Sequence, residues 1–426
     1  MRPRGFAVCA LVGLSIIVPV SAAAQPEEGP RSGVYWRNRP SIQLGPLRVD
    51  LRLKLQLDQR WFDPEIGEDD FDFRVRRWGI NGELADDLEF QIERDFDGRW
   101  RDVFGNWRTF RQFEVMAGRF KVPFGHEELI GITDVDFAFR TLVSTTIPPA
   151  RDRGVMVHGR FLQRGFTYQV GVFKDDGDNG RLQEPQFTLT GDIPNLGPSF
   201  AARVTATPLR PLAETFEDLR VGFAYGGVDM PEGLNSFRGE TVYGTEEFFE
   251  PVYVKGRRTR VGLEFNYTPG PVGVTAEWMR ASEERQNQSI RSEDLSDLLT
   301  TGWYVSVTSF LTGEEKDSFN NNPRNPLFEG GFGGVEVGVR YEELGFESEE
   351  QIGPAFPNPR AAHIRPNSDH VWTFGVNWFV NRWVRVTLNS IREEFEDPFR
   401  TPIPRTLEEP GVTTFWSGVA RLQIVF

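Results

Sequence analysis

The sequence predicts an all-β protein, a transmembrane antiparallel β-barrel of about 16 strands with one inward-folded constriction loop. Three observations predict this fold. Polar and apolar residues alternate over runs of about ten residues, the length that a tilted strand needs to cross a bilayer. The connections between these runs are alternately short and long. The chain also ends on an alternating run whose last residue is the aromatic Phe426.

The first 24 residues predict export and do not belong to the fold. Arg2 and Arg4 precede an apolar run over residues 6–20, and three alanines end the segment before Gln25. This pattern is that of a secretory signal peptide, residues 1–24. The only cysteine, Cys9, lies inside it. The mature chain is therefore expected to have no thiol, which excludes disulfides, zinc–thiolate sites and cysteine catalysis.

Composition narrows the remaining classes of protein. The formal net charge of −14 argues against nucleic acid as a partner, and 43 glycines with 13% aromatic residues fit an all-β chain. After residue 24 no apolar run reaches about 18 residues, so a transmembrane helix is not expected. Nearly all basic residues are arginine, whose planar guanidinium suits oxyanions. A GC-rich genome would also favour arginine, and the sequence leaves both explanations open.

The first strand follows a Pro- and Gly-rich segment, residues 25–46, which is expected to be a periplasmic lead-in to a barrel over residues 47–426. Residues 47–58 alternate without interruption, with leucine or valine on one side and charged or amide residues on the other. A soluble half-buried strand alternates in the same way, but usually over about five or six residues. The length of this run favours a strand between lipid and water.

The same pattern recurs along the chain. The further candidate strands are 73–84, 88–96, 112–118, 153–162, 166–174, 200–208, 219–227, 258–268, 272–280, 301–310, 333–342, 370–380, 383–392 and 415–426. Short connections lie at 85–87, 163–165, 269–271 and 381–382, and long polar ones at 59–72, 97–111, 175–199, 228–257, 282–300, 343–369 and 393–414. Short turns at one rim and long loops at the other are typical of outer-membrane barrels.

An even number of strands completes the barrel. The runs number fifteen, whereas a barrel with both termini in the periplasm needs an even number. The up-and-down alternation fails only between residues 118 and 153, so the missing strand is expected near 119–130. A barrel of about 16 strands has an interior too wide for side chains to fill, and an aqueous channel results.

The segment at about 131–152 is too long and too apolar for an ordinary turn. It contains Phe137, Phe139 and Leu142 beside charged residues, and Pro148 and Pro149 bar a helix or a central strand near its end. Other parts of the protein must cover an apolar loop. The interior of a wide barrel would cover it, and so would the surface of a soluble β-sandwich. This segment alone does not decide between them.

The end of the chain and its aromatic residues favour the membrane barrel. An amphipathic last strand that ends on Phe426 is the expected assembly signal for the barrel assembly machinery. Aromatic residues lie at or near strand ends, as an interfacial girdle requires: Trp278, Trp303, Trp372, Trp378, Trp383 and Tyr267.

Five segments carry a family resemblance: residues 118–129 (GRFKVPFGHEEL), 134–161, 302–316, 371–395 and 421–426. In these segments the chain resembles the phosphate-selective porin O/P family of Gram-negative bacteria. The resemblance implies a homotrimeric porin of the bacterial outer membrane, in which the third extracellular loop folds inward and narrows the pore. It also implies passive diffusion of small anions, phosphate or polyphosphate, past wall arginines and lysines near the constriction.

The resemblance assigns the anion pathway to the constriction. Among the lysines only Lys121 lies near it, so Arg140, Arg151 and Arg153 would have to replace the others. Alternation predicts that these cations line the lumen wall: Arg48, Arg52, Lys54, Arg160, Arg203, Arg220, Arg260, Arg340, Arg385 and Arg421. The acids predicted to face the same way are Asp50, Glu89, Glu93, Glu114, Glu264, Glu277 and Glu336. The wall as a whole does not establish a preference for anions, and a local cation cluster would decide it.

Other functions remain as alternatives: a general or cation-tolerant diffusion porin, or a non-conducting barrel that acts as an adhesin or receptor. An enzyme is not expected, because no serine or acid near His126, His158, His363 or His370 stands in a recognisable catalytic arrangement. No metal or cofactor is expected, since residues 175–180 resemble only half of a calcium loop. The expected surroundings are outer-membrane lipid and lipopolysaccharide. The acidic loops are typical of a solvated surface, and bridging to lipopolysaccharide through divalent ions is the alternative.

Overall fold

The computed structural model describes residues 32–36, 38–180, 197–211, 214–316, 322–348, 359–398 and 411–426. The predicted signal peptide at 1–24 and the first part of the predicted lead-in lie outside these residues. Antiparallel strands make up most of the regular structure. In the described ranges no helix is long and apolar enough to cross a membrane.

Sixteen of the strands form a closed antiparallel barrel, which confirms the predicted fold class. In chain order the strands are β1 (Gly33–Trp36), β2 (Pro40–Leu44), β3 (Leu47–Phe62), β4 (Asp70–Leu84), β5 (Leu88–Asp95), β6 (Trp100–Phe110), β7 (Phe113–Lys121), β8 (Arg151–Phe161), β9 (Phe166–Phe173), β10 (Ser199–Ala206), β11 (Arg220–Leu234), β12 (Gly239–Glu240), β13 (Glu247–Phe249), β14 (Tyr253–Tyr267), β15 (Val272–Arg285), β16 (Leu295–Phe310), β17 (Gly334–Ser348), β18 (Asn367–Phe379), β19 (Val384–Phe395) and β20 (Thr414–Val425). The wall consists of β3–β11 and β14–β20.

The barrel closes between its first and last wall strands. β20 pairs with β3 from Ser417 opposite Phe62 to Val425 opposite Lys54. At the start of β3, β2 takes the place of β20 and pairs with residues 47–50. The described part of the lead-in is therefore a hairpin, β1 and β2, that extends the wall.

The strand that completes the barrel is β6, which lies within the expected connection 97–111, so its predicted place near 119–130 is wrong. Residues 119–121 belong to β7, and the next regular element is a single helical turn, α1 (His126–Leu129). The pairing of β6 with its neighbours shifts register between Ile92 and Arg94 and again between Trp107 and Phe110. Such irregularities break the alternation by which a strand is recognised in a sequence.

The hydrophobic core lies inside the barrel. Apolar residues on the outer face stay exposed, as contact with lipid requires, and Leu263 and Val172 are 50% and 58% exposed. On the inner face of the long strands β16–β18, Leu298, Leu344 and Val371 are fully buried. Side chains cannot fill a barrel of this width, so chain segments inside the barrel must cover these residues.

Two extracellular loops fold inward and cover this surface. The constriction loop, residues 122–150, joins β7 to β8 and contains α1 and α2 (Leu142–Thr146), so it starts earlier than the expected 131. The second inner loop, residues 235–252, carries β12 and β13. Its Phe248 and Phe249 are buried against Phe346 of the wall. The sequence places this second segment among the solvated connections, in 228–257, and that prediction is wrong for its aromatic centre.

Candidate permeation pathway

Wall arginines hold the constriction loop by its backbone. Four of them donate hydrogen bonds to carbonyl oxygens of the loop: Arg260 to Ile147 (2.7 Å), Arg340 to Phe139 (3.0 Å), Arg385 to Val135 (3.0 Å) and Arg421 to Ala138. Buried carbonyl groups need such partners. All four arginines lie on the inner face, as alternation predicts, but they are at most 4% exposed. They fix the loop and are covered by it.

Acids neutralise three of these arginines. The ion pairs are Arg421–Asp58 at 2.6 Å, Arg260–Asp176 at 2.5 Å and Arg340–Glu342 at 3.2 Å. A buried charge without its partner is strongly destabilising, which explains the pairing. Where the wall arginines contact the constriction loop, they are buried and hold the loop in place. They do not form a row of cations open to water.

Wall acids and amides accept hydrogen bonds from the backbone N–H groups of the loop. Glu277 accepts from His126 (2.5 Å) and Glu127 (2.9 Å), Glu342 from Leu142 (2.6 Å), and Asn389 from Ala138 (2.7 Å). From the periplasmic turn after β16, Lys316 Nζ bonds to Asp136 of the loop at 2.6 Å and pairs with Glu336. The constriction loop is thus fixed to the wall along most of its length.

Three predicted pathway residues meet at the free edge of the loop. Arg140 Nη2 and Lys121 Nζ both donate to the carbonyl oxygen of Ile130, each at 2.6 Å. Arg151 is the cross-strand neighbour of Lys121. Glu128 lies 3.5 Å from Arg140 and 3.9 Å from Lys121. The three cations form one cluster, and an acid of the loop offsets part of its charge.

Ion pairs line the wall beside this cluster. They are Arg151–Asp102 at 2.9 Å, Lys54–Glu93 at 2.5 Å and Arg77–Asp95 at 2.5 Å. The remaining predicted wall cations also lie on the inner face, mostly with partners: Arg203–Glu264 at 2.6 Å, Arg48–Glu83 at 2.8 Å, Arg52–Asn81 at 3.1 Å and Arg160–Glu114 at 4.0 Å, with Arg220 opposite Asn266. Arg48 and Arg160 each keep 35% of their side chain exposed.

The constriction loop separates two cavities. The larger has about 440 Å³, opens between the two inner loops, and is lined by Arg74, Arg140, Arg238, Glu240 and Tyr243 among others. The smaller has about 40 Å³, and its lining includes His126, Glu127, Ile130, Asp134, Asp136 and Lys316. Val135 borders both cavities. Arg140 lines the larger one and bonds to the carbonyl groups of Glu127 and Ile130 in the smaller, so it lies at their boundary.

Arg153 lies apart from this cluster. Its side chain is exposed and shares a surface with Val155, Val103 and Ala117 on the outer face of the barrel. The sequence groups Arg153 with the constriction because the loop is expected to reach residue 152. In the strand β8, Arg153 shares the outer face with Val155, two residues further on, whereas Arg151 at the start of the strand bonds to the buried Asp102.

Arg74 is a lumen cation that alternation does not predict. In the lower part of β4 the odd-numbered residues face inward, so an even-numbered residue should face lipid. The pairing of β3 with β4 shifts between Gln56 and Asp58, and this irregularity turns Arg74 into the larger cavity. Its guanidinium carbon lies 5.4 Å from the ring centroid of Phe139. Arg74 is exposed, and within the described ranges its guanidinium makes no hydrogen bond or ion pair.

Two histidines lie in different surroundings, one in the constriction loop and one on a wall strand. Burial lowers the pKa of His126 in the constriction loop to about 4; the nearby Glu264 opposes this shift, and Arg203 and Arg220 add to it. His126 is therefore neutral at pH 7.

His370, on β18, lies 3.2 Å from the Oγ of Ser368, a contact that the sequence did not suggest. The hydroxyl donates instead to Glu396 at 2.9 Å, and Ser368 is only 5% exposed. A serine nucleophile must donate its proton to the histidine and must reach its substrate. The pair therefore does not form a hydrolytic site.

The amino-acid sequence matches the family model of phosphate-selective porin O and P over residues 48–398. The chain belongs to this family. The porin is an outer-membrane channel, and the bacterial outer membrane is its location. No curated protein sequence matches the chain.

Solved structures share the porin's fold at low sequence identity. OmpT of Vibrio cholerae is 12% identical with a TM-score of 0.55, and the match covers 91% of this chain and 100% of that one. An anion-selective porin from Comamonas acidovorans is 13% identical with a TM-score of 0.52, over 89% and 100% of the two chains. The channel DcaP of Acinetobacter baumannii is 11% identical with a TM-score of 0.53, over 89% and 97%.

Proposed function

We propose that this porin lets small hydrophilic anions, phosphate or polyphosphate among them, diffuse passively across the outer membrane without a cofactor. The observation that carries the proposal is the cluster of Lys121, Arg140 and Arg151 at the free edge of the constriction loop. Clusters of Arg or Lys at a narrow point set a preference for anions. Arg74 supports it, since it offers an unpaired cation in the larger cavity on the way to Arg140.

A general or cation-tolerant porin is the second candidate, and the acids near the pathway favour it. Asp134 and Asp136 line the smaller cavity, and Glu128 lies beside the cation cluster. A cation would therefore meet favourable charges on that side of the loop. The selectivity depends on which charges an ion meets at the narrowest point, and we propose Arg140 for that point because it lies at the boundary of the two cavities.

Currents through the purified porin in planar bilayers test the proposal. In a potassium chloride gradient the reversal potential should have the sign of an anion-preferring channel, and added phosphate should reduce the chloride current. Replacing Arg140 by alanine should shift the reversal potential toward cations, whereas Arg153→Ala, on the outer face, should leave it unchanged. A cation-preferring wild type, or an unshifted Arg140→Ala, would contradict the proposal. The absence of stepwise currents would favour an adhesin or receptor.

We also propose that the porin is a homotrimer. The expectation comes from the family, and one neighbour in fold, OmpT of Vibrio cholerae, is described in a trimer form. Chemical cross-linking of the porin in intact outer membranes should give a trimer band that disappears on denaturation. A monomer band alone would contradict the proposal.

A further inference from the structure

An outward-facing groove of about 1240 Å³ lies at the extracellular end of β5–β8. Its apolar floor contains Ile92, Val103 and Val155, and Val155 is 47% exposed. The floor faces the bilayer, because the alternate residues of these strands face the lumen. Phe96 and Trp100, at the turn between β5 and β6, are 59% and 47% exposed. Exposed aromatic residues at strand ends mark the level of the lipid headgroups.

Arginines surround the upper edge of this groove. Arg119 of β7 and Arg153 of β8 are direct cross-strand partners and both line the groove, as does Arg99. Arg94 lies close by, with its guanidinium carbon 4.7 Å from the ring centroid of Trp100. Two like charges directly opposite each other destabilise a sheet. An anion between Arg119 and Arg153 would remove this repulsion.

The chain supplies only part of the required negative charge. Asp178 bonds to Arg119 at 2.5 Å, and Asp97 bonds to Arg99 at 2.7 Å. The side chain of Arg153 is exposed, and its guanidinium makes no hydrogen bond or ion pair in the part of the chain that the structure describes. The outward guanidinium of Arg153 is therefore unpaired at the level of the headgroups, directly above the apolar floor of the groove.

Two outward arginines elsewhere on the barrel have their own acids. Arg257 pairs with Asp229 at 2.9 Å, and Arg392 pairs with Glu394 at 2.8 Å. A partner for Arg153 needs both an anionic group and an apolar part.

We infer that this groove binds a phosphate-bearing lipid of the outer leaflet. The phosphate would lie between Arg153 and Arg119, where guanidinium groups can donate charge-assisted hydrogen bonds to it. The acyl chains would lie along Ile92, Val103 and Val155. This site is separate from the pore, so the inference of lipid binding does not depend on the proposed anion selectivity.

Native mass spectrometry of the purified porin in detergent, titrated with diphosphoryl lipid A, tests this inference. Replacing Arg153 by glutamine should weaken lipid A binding about tenfold, because it removes a charge-assisted hydrogen bond. The matched control is Arg257→Gln, which removes an outward arginine that already has an acid partner and should leave binding unchanged. Lipid A without its phosphates should bind the wild type as weakly as diphosphoryl lipid A binds Arg153→Gln.

Three results would overturn the inference. Equal binding of diphosphoryl lipid A by the wild type and Arg153→Gln would exclude Arg153 as a ligand. Equal binding of lipid A with and without phosphates would reduce the groove to an apolar surface. If Arg153→Gln kept its lipid binding but lost its oligomeric state, the groove would be a contact between copies of the chain. Single-channel conductance of each variant shows whether its barrel has folded.

Discussion

The ring of Phe139 in the constriction loop lies between one buried arginine and one exposed arginine. The guanidinium carbon of Arg421 is 5.1 Å from the ring centroid, and that of Arg74 is 5.4 Å away. Arg421 is 1% exposed and paired with Asp58, whereas Arg74 is exposed to the larger cavity. One arginine therefore holds the loop in place, and the other is available to a passing ion.

Replacing Arg74 by glutamine should weaken the anion preference and leave the fold intact. A unit charge about 6 Å from an ion in water changes its free energy by about 0.7 kcal/mol, so the anion-to-cation permeability ratio should fall about threefold. Reversal potentials in planar bilayers measure this ratio. Arg76→Gln is the control, because Arg76 lies on the outer face beside Phe73. Equal ratios for wild type and Arg74→Gln would contradict the role given to Arg74.

Replacing Arg421 by methionine should destabilise the porin, because Asp58 would remain buried without its partner. Breaking a buried ion pair from one side costs about 3–5 kcal/mol. The double variant Arg421→Met with Asp58→Asn should recover part of the lost stability, since no unpaired charge is left. Thermal unfolding of the barrel in detergent measures both effects. A double variant less stable than the single one would contradict the pairing.

At the scale of residues, alternation along each strand predicts ten cations on the inner face. It could not foresee that the constriction loop covers four of them, because the acids and carbonyl groups that bind them are distant in sequence. Asp58 and Ala138, for example, both contact Arg421. The lumen position of Arg74 depends on a register shift between β3 and β4, and the sequence does not show which residue such a shift turns inward.

At the scale of elements, the docked constriction loop should become less stable below pH 6.5. Burial gives His126 a pKa of about 4 in the docked loop, against 6.5 when exposed. Above pH 6.5 His126 is neutral in both states. Between pH 6.5 and 4 the released loop binds a proton that the docked loop does not, so docking weakens progressively, by about 3 kcal/mol in total.

Single-channel recordings between pH 7 and pH 4.5 should therefore show more frequent current fluctuations at the acidic end. His126→Gln is the matched control, because glutamine keeps a polar side chain and has no proton to bind in this range. The charged neighbours Glu264, Arg203 and Arg220 are unchanged in this variant. The same response to pH in wild type and His126→Gln would exclude His126 as its cause.

The positions of strands that alternate regularly could be predicted from the sequence, and those of irregular elements could not. The total number of wall strands followed from the requirement for an even count, but the irregular pairing around β6 concealed its position. The constriction loop was recognisable because its apolar residues needed cover. The second inner loop was not, because Phe248 and Phe249 stand among acids that are typical of solvated loops. Whether such aromatic residues turn inward depends on the wall that they meet.

At the scale of the whole molecule, the barrel closes at one seam, where β20 pairs with β3. Phe426 is the last residue of this seam: its N–H donates to the carbonyl oxygen of Leu53 at 3.1 Å, and Leu53 N–H donates to the Phe426 carbonyl oxygen at 2.9 Å. The sequence predicts that Phe426 is also the signal for the barrel assembly machinery. A loss of Phe426 would then affect stability and assembly by different amounts.

Deletion of Phe426 separates the two roles. Two backbone hydrogen bonds contribute about 1–3 kcal/mol in total, so the shortened chain should still refold from urea into detergent micelles, with a slightly lower unfolding temperature. In cells, the amount of folded porin in the outer membrane should fall several-fold, because the machinery would lack its signal. Phe426→Tyr, which keeps an aromatic end and both bonds, should assemble like the wild type. Equal amounts of folded deletion variant and wild type in the outer membrane would show that Phe426 only closes the seam.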